Sequence, residues 1–303
     1  GKAYQGAYKK TSEVPVPADL QGEIDEALEE LTEQAASTDD DLMMKYLEGE
    51  TLTHEEIMEG FVKGMKDGSI VPVVACSALT GVGIASALDL IAKYLPSPAH
   101  DGVKTGTNPK TGEEITRECK DEDPFSALVF KTIADPFVGK LSLLKITSGT
   151  LDGATQLYNV NAEKTEKPGT IYILKGKQQS TTQKVCAGDL CALAKLQSLA
   201  TGNTLCDVNN PVQFPDMEFP AANISKAVYA KKAGEEDKIF SGLNRLMEED
   251  PTIKVEKNVE TAESVLSGIG EMSIDVVAAK LASKFKVECV LQDPKIPYRE
   301  SIR

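Results

Sequence analysis

The stretch VPVVACSALTGVGI, Val71 to Ile84, is where residue types and spacing come closest to chemistry. An apolar run delivers Cys76, Ser77 and Ala78 to a small-residue turn, and an apolar-periodic helix follows up to Pro96. In some α/β folds a strand ending this way is one wall of a nucleotide pocket. Such a pocket needs further walls. A loop of form GxxxxGK[ST] cradles phosphates on its backbone N–H groups and offers a hydroxyl to magnesium, and neither GKAYQG nor GKQQST fits it. No DxxG motif ends a strand to sense a γ-phosphate, and no NKxD reads a guanine edge.

Other reactive types are sparse. Cys76, Cys119, Cys186, Cys191, Cys206 and Cys289 form no CxxC pair, and only His54 and His100 accompany them, which argues against zinc. Six scattered thiols without a secretion signal fit a reducing cytoplasm. The segment Gly268-Ile269-Gly270-Glu271 joins a strand to a helix. Its glycines suit a tight turn that needs positive φ or a close backbone approach, and Glu271 suits a positive helix end.

The elements that position these residues fall into three modules. At 303 residues the chain is longer than one ordinary domain. Two segments rich in proline and polar residues, 95–114 and 207–220, read as linkers. The resulting domains are 1–98, 99–210 and 218–303.

The first module opens helical. From Asp19 to Ala36, Leu20, Ile24, Ala27, Leu28, Leu31 and Ala35 share one arc, and Glu23, Glu26, Glu30 and Glu33 the opposite one. The acidic arc is either a solvated face, the commoner case, or a docking face for a basic partner. Thr53-His54-Glu55-Glu56 forms a capping box ahead of Ile57, Phe61, Val62 and Met65, which gives His54 a structural setting. Ser69 to Ala75 reads as a buried strand, and Ile84, Leu88 and Ile91 as the inner face of the helix after it.

The second module alternates as strands do, at 126–133, 140–147, 155–160 and 189–196, broken by SGTLDGA and CAGD, and predicts an antiparallel barrel. Pro136 and Gly139 bound a connection between the first two strands, and Lys175, Lys177 and Lys184 make a weak basic patch on one hairpin. The third module reads βαββαβ, the split ferredoxin-like order, which says nothing of function by itself.

Charge narrows the partners. Residues 1–100 carry 7 Lys/Arg against 18 Asp/Glu, whereas 101–218 carry 13 against 15 and 219–303 carry 13 against 14. A nucleic-acid binder usually shows a basic footprint, so RNA contact is confined to local patches and DNA binding is not expected. No apolar run is long enough for a membrane span.

Three features converge on one family: the Ser-Ala turn, the barrel segment FKTIADPFVGKLSLLKITSGTLDGA, and a third module carrying EEDPTIKVE, SGIGEMSIDV and IPYRES. Together they resemble bacterial elongation factor G and its paralogues, the translational GTPases, over essentially the whole chain. PADL and LMMKYLEGE look like the inserted subdomain of that factor's GTPase domain, Cys76-Ser77-Ala78 like its fifth guanine-nucleotide motif, and LPSP like the exit into its second domain. The resemblance implies a partial P-loop GTPase domain with an inserted helical subdomain, then a translation-protein β-barrel, then a ferredoxin-like unit. Met272-Ser273 and Ile296-Pro297 depart from the family pattern and favour a divergent paralogue.

By resemblance, the parent binds GTP with magnesium and hydrolyses it on the ribosome, driving movement of transfer and messenger RNA. Its nucleotide motifs would precede Gly1 and its fourth and fifth domains would follow Arg303, so this chain alone is expected to have no cofactor and no GTPase activity. Ser77 and Ala78 would lie beside the guanine base. Glu23, Glu26, Glu30 and Glu33 would face the ribosomal stalk protein, the barrel would rest on small-subunit RNA and protein, and Gly268, Gly270 and Glu271 would relay the switch state. A cytoplasmic monomer is expected. Alternatives are a ribosome-protection or ribosome-recycling paralogue and, in another class, a non-catalytic binding module.

Overall fold

The computed structural model describes residues 3–7, 10, 12–99, 103–135, 139–176, 178–196, 198–298 and 300. Pro136, Lys177, His100 and Arg299, which figure in the sequence reading, lie outside the described residues. Contacts divide the chain into two units, Gly1–His100 and Asp101–Arg303.

The first unit begins with a short hairpin that the sequence reading did not anticipate, β1 (Ala3–Gln5) against β2 (Ser12–Val14). Three helices follow: α1 (Gln21–Ala36), α2 (Asp40–Leu47) and α3 (His54–Asp67). Asp39 caps α2 by accepting the Asp41 N–H, and Thr53 with Glu56 closes the expected capping box on α3. What brings α1 and α3 together is the absence of side chains. Ala35 and Ala36 are fully buried, and a Cβ on Gly60 would stand 2.4 Å from the Ala35 carbonyl oxygen. Thr38 Oγ1 fills the crossing by donating to Ala35 O at 2.8 Å and Gly60 O at 3.1 Å.

Lys45 Nζ donates to Glu56 Oε1 at 2.6 Å, and Thr53 N–H donates to Glu56 Oε2 at 2.9 Å. The lysine first, then the cap amide, hold the Glu56 carboxyl at about 2, below its ordinary 4.5. A carboxylate depressed on folding stabilises the helix cap fully above its unfolded pKa and loses that effect as pH falls through the folded value. The capping contribution should therefore be complete above about pH 4.5 and fade toward pH 2. Carbon-detected titration of Glu56 checks this, and Lys45→Met should move the midpoint upward. An unmoved midpoint would assign the depression to the cap alone.

Two expectations for the rest of this unit fail. Residues 70–77 form no strand, and Val71, Val73 and Val74 are exposed, Val73 at 92%. A strand exists by pairing, and β1 and β2, the unit's strands among the described residues, pair with each other. For the same reason α4 (Ile84–Tyr94) has no sheet to cover, and of its intended inner residues Ile84 is half-buried while Leu88 and Ile91 are exposed. Its described ring contact is Tyr94 edge-on to Phe61, centroids 6.0 Å apart.

The second unit opens with a hairpin, β3 (Val103–Thr107) and β4 (Glu114–Glu118), in part of the sequence read as linker. It is followed by β5 (Ser126–Asp135), β6 (Gly139–Ser148), β7 (Leu151–Asp152), β8 (Leu157–Asn159), β9 (Lys164–Glu166), β10 (Ile171–Lys175), β11 (Gln178–Thr182), β12 (Lys184–Val185), β13 (Leu190–Ala194) and β14 (Thr204–Cys206). Eight strands form one antiparallel sheet ordered β11-β10-β13-β6-β5-β14-β8-β9, and β7 pairs β12.

Alternation places Val129, Leu144, Ile146, Leu157, Ile171, Leu193 and Leu205 in one buried cluster that contains no helix residue. A sheet that covers its own apolar face must curl, because a flat one would leave that face wet. The other expected linker is also anchored. Thr107 and Gln213 exchange both backbone hydrogen bonds at 2.8 Å, and Val212 and Phe214 are buried.

The remaining elements are β15 (Ile224–Ala230), α5 (Glu236–Glu249), β16 (Lys254–Lys257), β17 (Ser264–Gly268), α6 (Glu271–Phe285) and β18 (Cys289–Gln292). Their sheet order, β16-β17-β15-β18, is the ferredoxin-like arrangement expected. Ile239, Leu243, Leu246, Ile274, Val277 and Leu281 press both helices onto one sheet face.

Candidate functional site

Three places carry the sequence-predicted functional residues. The first is the loop entering α4. Ser77 N–H donates to Val82 O at 2.9 Å, Gly81 N–H to Ser77 O at 2.8 Å, and Thr80 N–H to Ser77 Oγ at 3.3 Å. Gly83 holds the loop shut. Its φ is +73°, and a Cβ there would stand 2.5 Å from Ala75 O, so only glycine lets the chain pass itself. The result is a self-bonded loop with Ser77 half-buried and Ala78 exposed. Among the described residues, no group of three or more His, Cys, Asp or Glu is placed to hold a metal ion.

The second place is α1. Glu23, Glu26, Glu30 and Glu33 are all exposed, as their arc requires. The predicted apolar arc is only partly covered: Ala35 is buried, Ile24 and Leu31 are half-buried, and Leu20 and Leu28 are exposed. Leu28 instead borders a groove of about 410 Å³, whose lining includes Asp25, Glu29, Tyr46, Leu52 and Ile57. The groove combines an apolar floor with acidic walls on a different strip of α1 from the four glutamates. Periodicity alone could not reveal it, because Tyr46 and Leu52 arrive from other parts of the chain.

The third place is the turn from β17 into α6, and here the expectation needs correcting. Gly270 caps α6 at φ −160° and ψ 173°, ordinary extended backbone, with open space where a Cβ would sit. Positive φ is not the reason for glycine there. Gly268 is the constrained one: it is buried, and its Cβ would meet Ile274 Cγ1 and Ser273 Oγ at 3.2 Å. Glu271 is exposed in the first turn of α6, and Met272 beside it is 80% exposed.

A further cavity of about 590 Å³ in the curled sheet's loops has Asp121, Asp123, Asp152 and Asp207 in its lining. Each carboxylate already braces a turn. Asp121 accepts Ala187 N–H, Asp123 accepts Glu118 N–H, Asp152 accepts Ala154 N–H and Asp207 accepts Asn209 N–H. The first and largest cause of the lowered Asp121 pKa is that Ala187 bond, and of the lowered Asp152 pKa the Thr155 hydroxyl. These acids stabilise loop geometry.

Comparison with known proteins follows the same division. Residues 124–208 match the family model described as elongation factor G domain 2, and residues 219–293 match that for elongation factor G, domain III. The fold is also similar to a crystal structure of a Thermus thermophilus protein, with a TM-score of 0.80 and 29% sequence identity. That similarity covers 99% of this chain and 42% of the other, so the chain spans less than half of that relative's length. The curled sheet and the split βαβ unit are thus recognised separately, adjacent and in the same order, and the chain belongs to the elongation factor G family.

Proposed function

We propose that this chain is the part of a ribosome-bound translational GTPase that carries the guanine-side wall, the docking subdomain, the barrel and the ferredoxin-like relay. The carrying observation is the pair of consecutive matches to the second and third domains of elongation factor G. On this reading the Ser77–Gly83 loop lies against the guanine base, with the Ala78 peptide at its exposed crest and Gly83 fixing its shape. GTP and magnesium supply the phosphoryl chemistry of the parent protein. This chain's residues bind and orient, and none of them moves a proton or attacks a phosphate. The ferredoxin-like unit passes the nucleotide state onward through the β17–α6 corner.

The deciding experiment measures ribosome-stimulated GTP hydrolysis together with messenger movement for a protein carrying this segment. Both activities together support a translocase. Hydrolysis with ribosome splitting or tetracycline release, but no movement, would favour the recycling or protection alternative. The absence of any ribosome-dependent hydrolysis would overturn the GTPase reading and leave a binding module.

The first unit is proposed to dock a basic ribosomal stalk protein, and two strips of α1 compete for the role. Reversing Glu26 and Glu30 to Lys tests the outer arc, and reversing Asp25 and Glu29 tests the groove. All four residues are exposed, so neither pair should disturb folding by more than about 0.5 kcal/mol. The pair that lines the true surface should weaken stalk binding about tenfold at low salt and flatten its salt dependence. Calorimetry that finds neither pair affecting affinity would leave α1 a solvated helix.

A further inference from the structure

Glu263, immediately before β17, is 4% exposed. It accepts the Tyr229 hydroxyl from β15, and its other oxygen accepts the Lys295 backbone N–H at 3.0 Å. The Lys295 ammonium stands 3.8 Å away. Lys295 belongs to the segment that leaves β18, at the far side of β15 from β17. Glu263 therefore holds a piece of chain across a neighbouring strand.

Register shows which sheet face is crossed. Lys226 is paired with Leu266 and Ala227 with Val265, and Leu266 lies in the cluster under the helices. Ala227, Tyr229, Val265 and Val290 therefore point to the face without helices. Val290 is 41% exposed there, yet Ala227 has no exposure at all. The segment after β18 crosses this face beside Tyr229, whose hydroxyl shares the Glu263 carboxylate with the Lys295 N–H. Its start is tied on the helix-bearing side, by Asp293 Oδ1 accepting from Lys226 Nζ at 2.7 Å, and its fastening on the open face is Lys295 N–H on Glu263. Beyond that fastening Ile296 and Tyr298 are 70% and 87% exposed.

We infer that residues 293–298 form a strap over the helix-free face of this sheet, and that Glu263 is its clasp. The carboxylate fixes the direction in which Ile296 and Tyr298 project, and its release frees the segment from the sheet at Tyr229. The Asp293 fastening is open to water and contributes little alone, whereas a main-chain N–H on a buried carboxylate is a charge-assisted bond. The geometry that aims Glu263 is local. Ala262 before it has φ +58°, and Asn258 N–H donates to Glu263 O at 2.7 Å.

Limited trypsin digestion of the whole chain, read by mass spectrometry, tests the clasp. Cleavage after Lys295 is the readout, and cleavage after the exposed Lys257 of β16 reports opening of the sheet itself. Glu263→Ala should accelerate cleavage after Lys295 about tenfold while leaving Lys257 unchanged, because proteolysis follows the population of the open form. Glu263→Gln keeps an acceptor for the Lys295 N–H and should restore most of the protection. Unchanged cleavage after Lys295 in Glu263→Ala would overturn the clasp. Equal acceleration at both lysines would also overturn it, by showing that Glu263 supports the sheet as a whole.

Discussion

Gly60→Val should unfold the first unit at markedly lower denaturant than the parent while leaving the second unit's transition in place. The added Cβ would meet the Ala35 carbonyl oxygen at 2.4 Å and its carbon at 2.9 Å. Neither atom can rotate away, since both belong to the backbone of α1. The helices must separate, and Thr38 Oγ1 then loses its bond to Gly60 O, the one that crosses to α3, while its local bond to Ala35 O stays on its own stretch of chain. Overpacking of this kind costs about 3 kcal/mol. Gly64 is the internal control. Its Cβ would meet the end of the Ile70 side chain at 2.7 Å and Thr38 Cγ2 at 2.9 Å, groups that can move. Gly64→Ala should therefore cost clearly less than Gly60→Ala. Urea titration followed by far-ultraviolet circular dichroism reads both, and equal costs for the two alanine variants would mean that the crossing is looser than its geometry indicates.

The second large effect belongs to Gly268. A valine there would drive its branches into Ile274 and Ser273, the residues that seat α6 on β17, and should cost roughly 1–3 kcal/mol. Gly270 should behave in the opposite way. Its extended backbone is that of an N-cap, where serine is preferred over glycine, so Gly270→Ser should hold or raise stability by a few tenths of a kcal/mol. If the β17–α6 corner also relays nucleotide state in the parent protein, Gly268→Val should slow ribosome movement relative to GTP hydrolysis, and Gly270→Ser should not. Chemical denaturation separates the stability effect from the relay effect. A stable Gly268→Val variant that moves the ribosome normally would remove this corner from the relay.

Periodicity and capping were enough to locate α1, α3, α5 and α6, because the signals for a helix lie within its own turns. Thr53 and Glu56 are three residues apart, and the box they form is local by nature. The βαββαβ order was legible for the same reason, each strand and helix announcing itself in turn. The barrel segment and the third-domain motifs also carried the family, since those residues stand adjacent in the chain.

What the sequence left undetermined depends on partners distant in the chain. VPVVAC has the composition of a buried strand, yet a strand needs a neighbour's backbone, and composition cannot say whether one is supplied. The proline-rich segment 207–220 reads as a linker until Val212 and Phe214 find a buried place against β3, β8 and β14. Gly268 and Gly270 look alike in sequence, and only the seating of α6 separates a glycine required by packing from one standing in open space. The groove beside α1 joins residues from Asp25 to Ile57, and the Glu263 clasp joins Tyr229, 34 residues before it, to Lys295, 32 after it, but no period or motif links their members. Local hydrogen bonding and amphipathic spacing are written along the chain, whereas closeness between separated residues is created by burial, and so belongs to the tertiary structure alone.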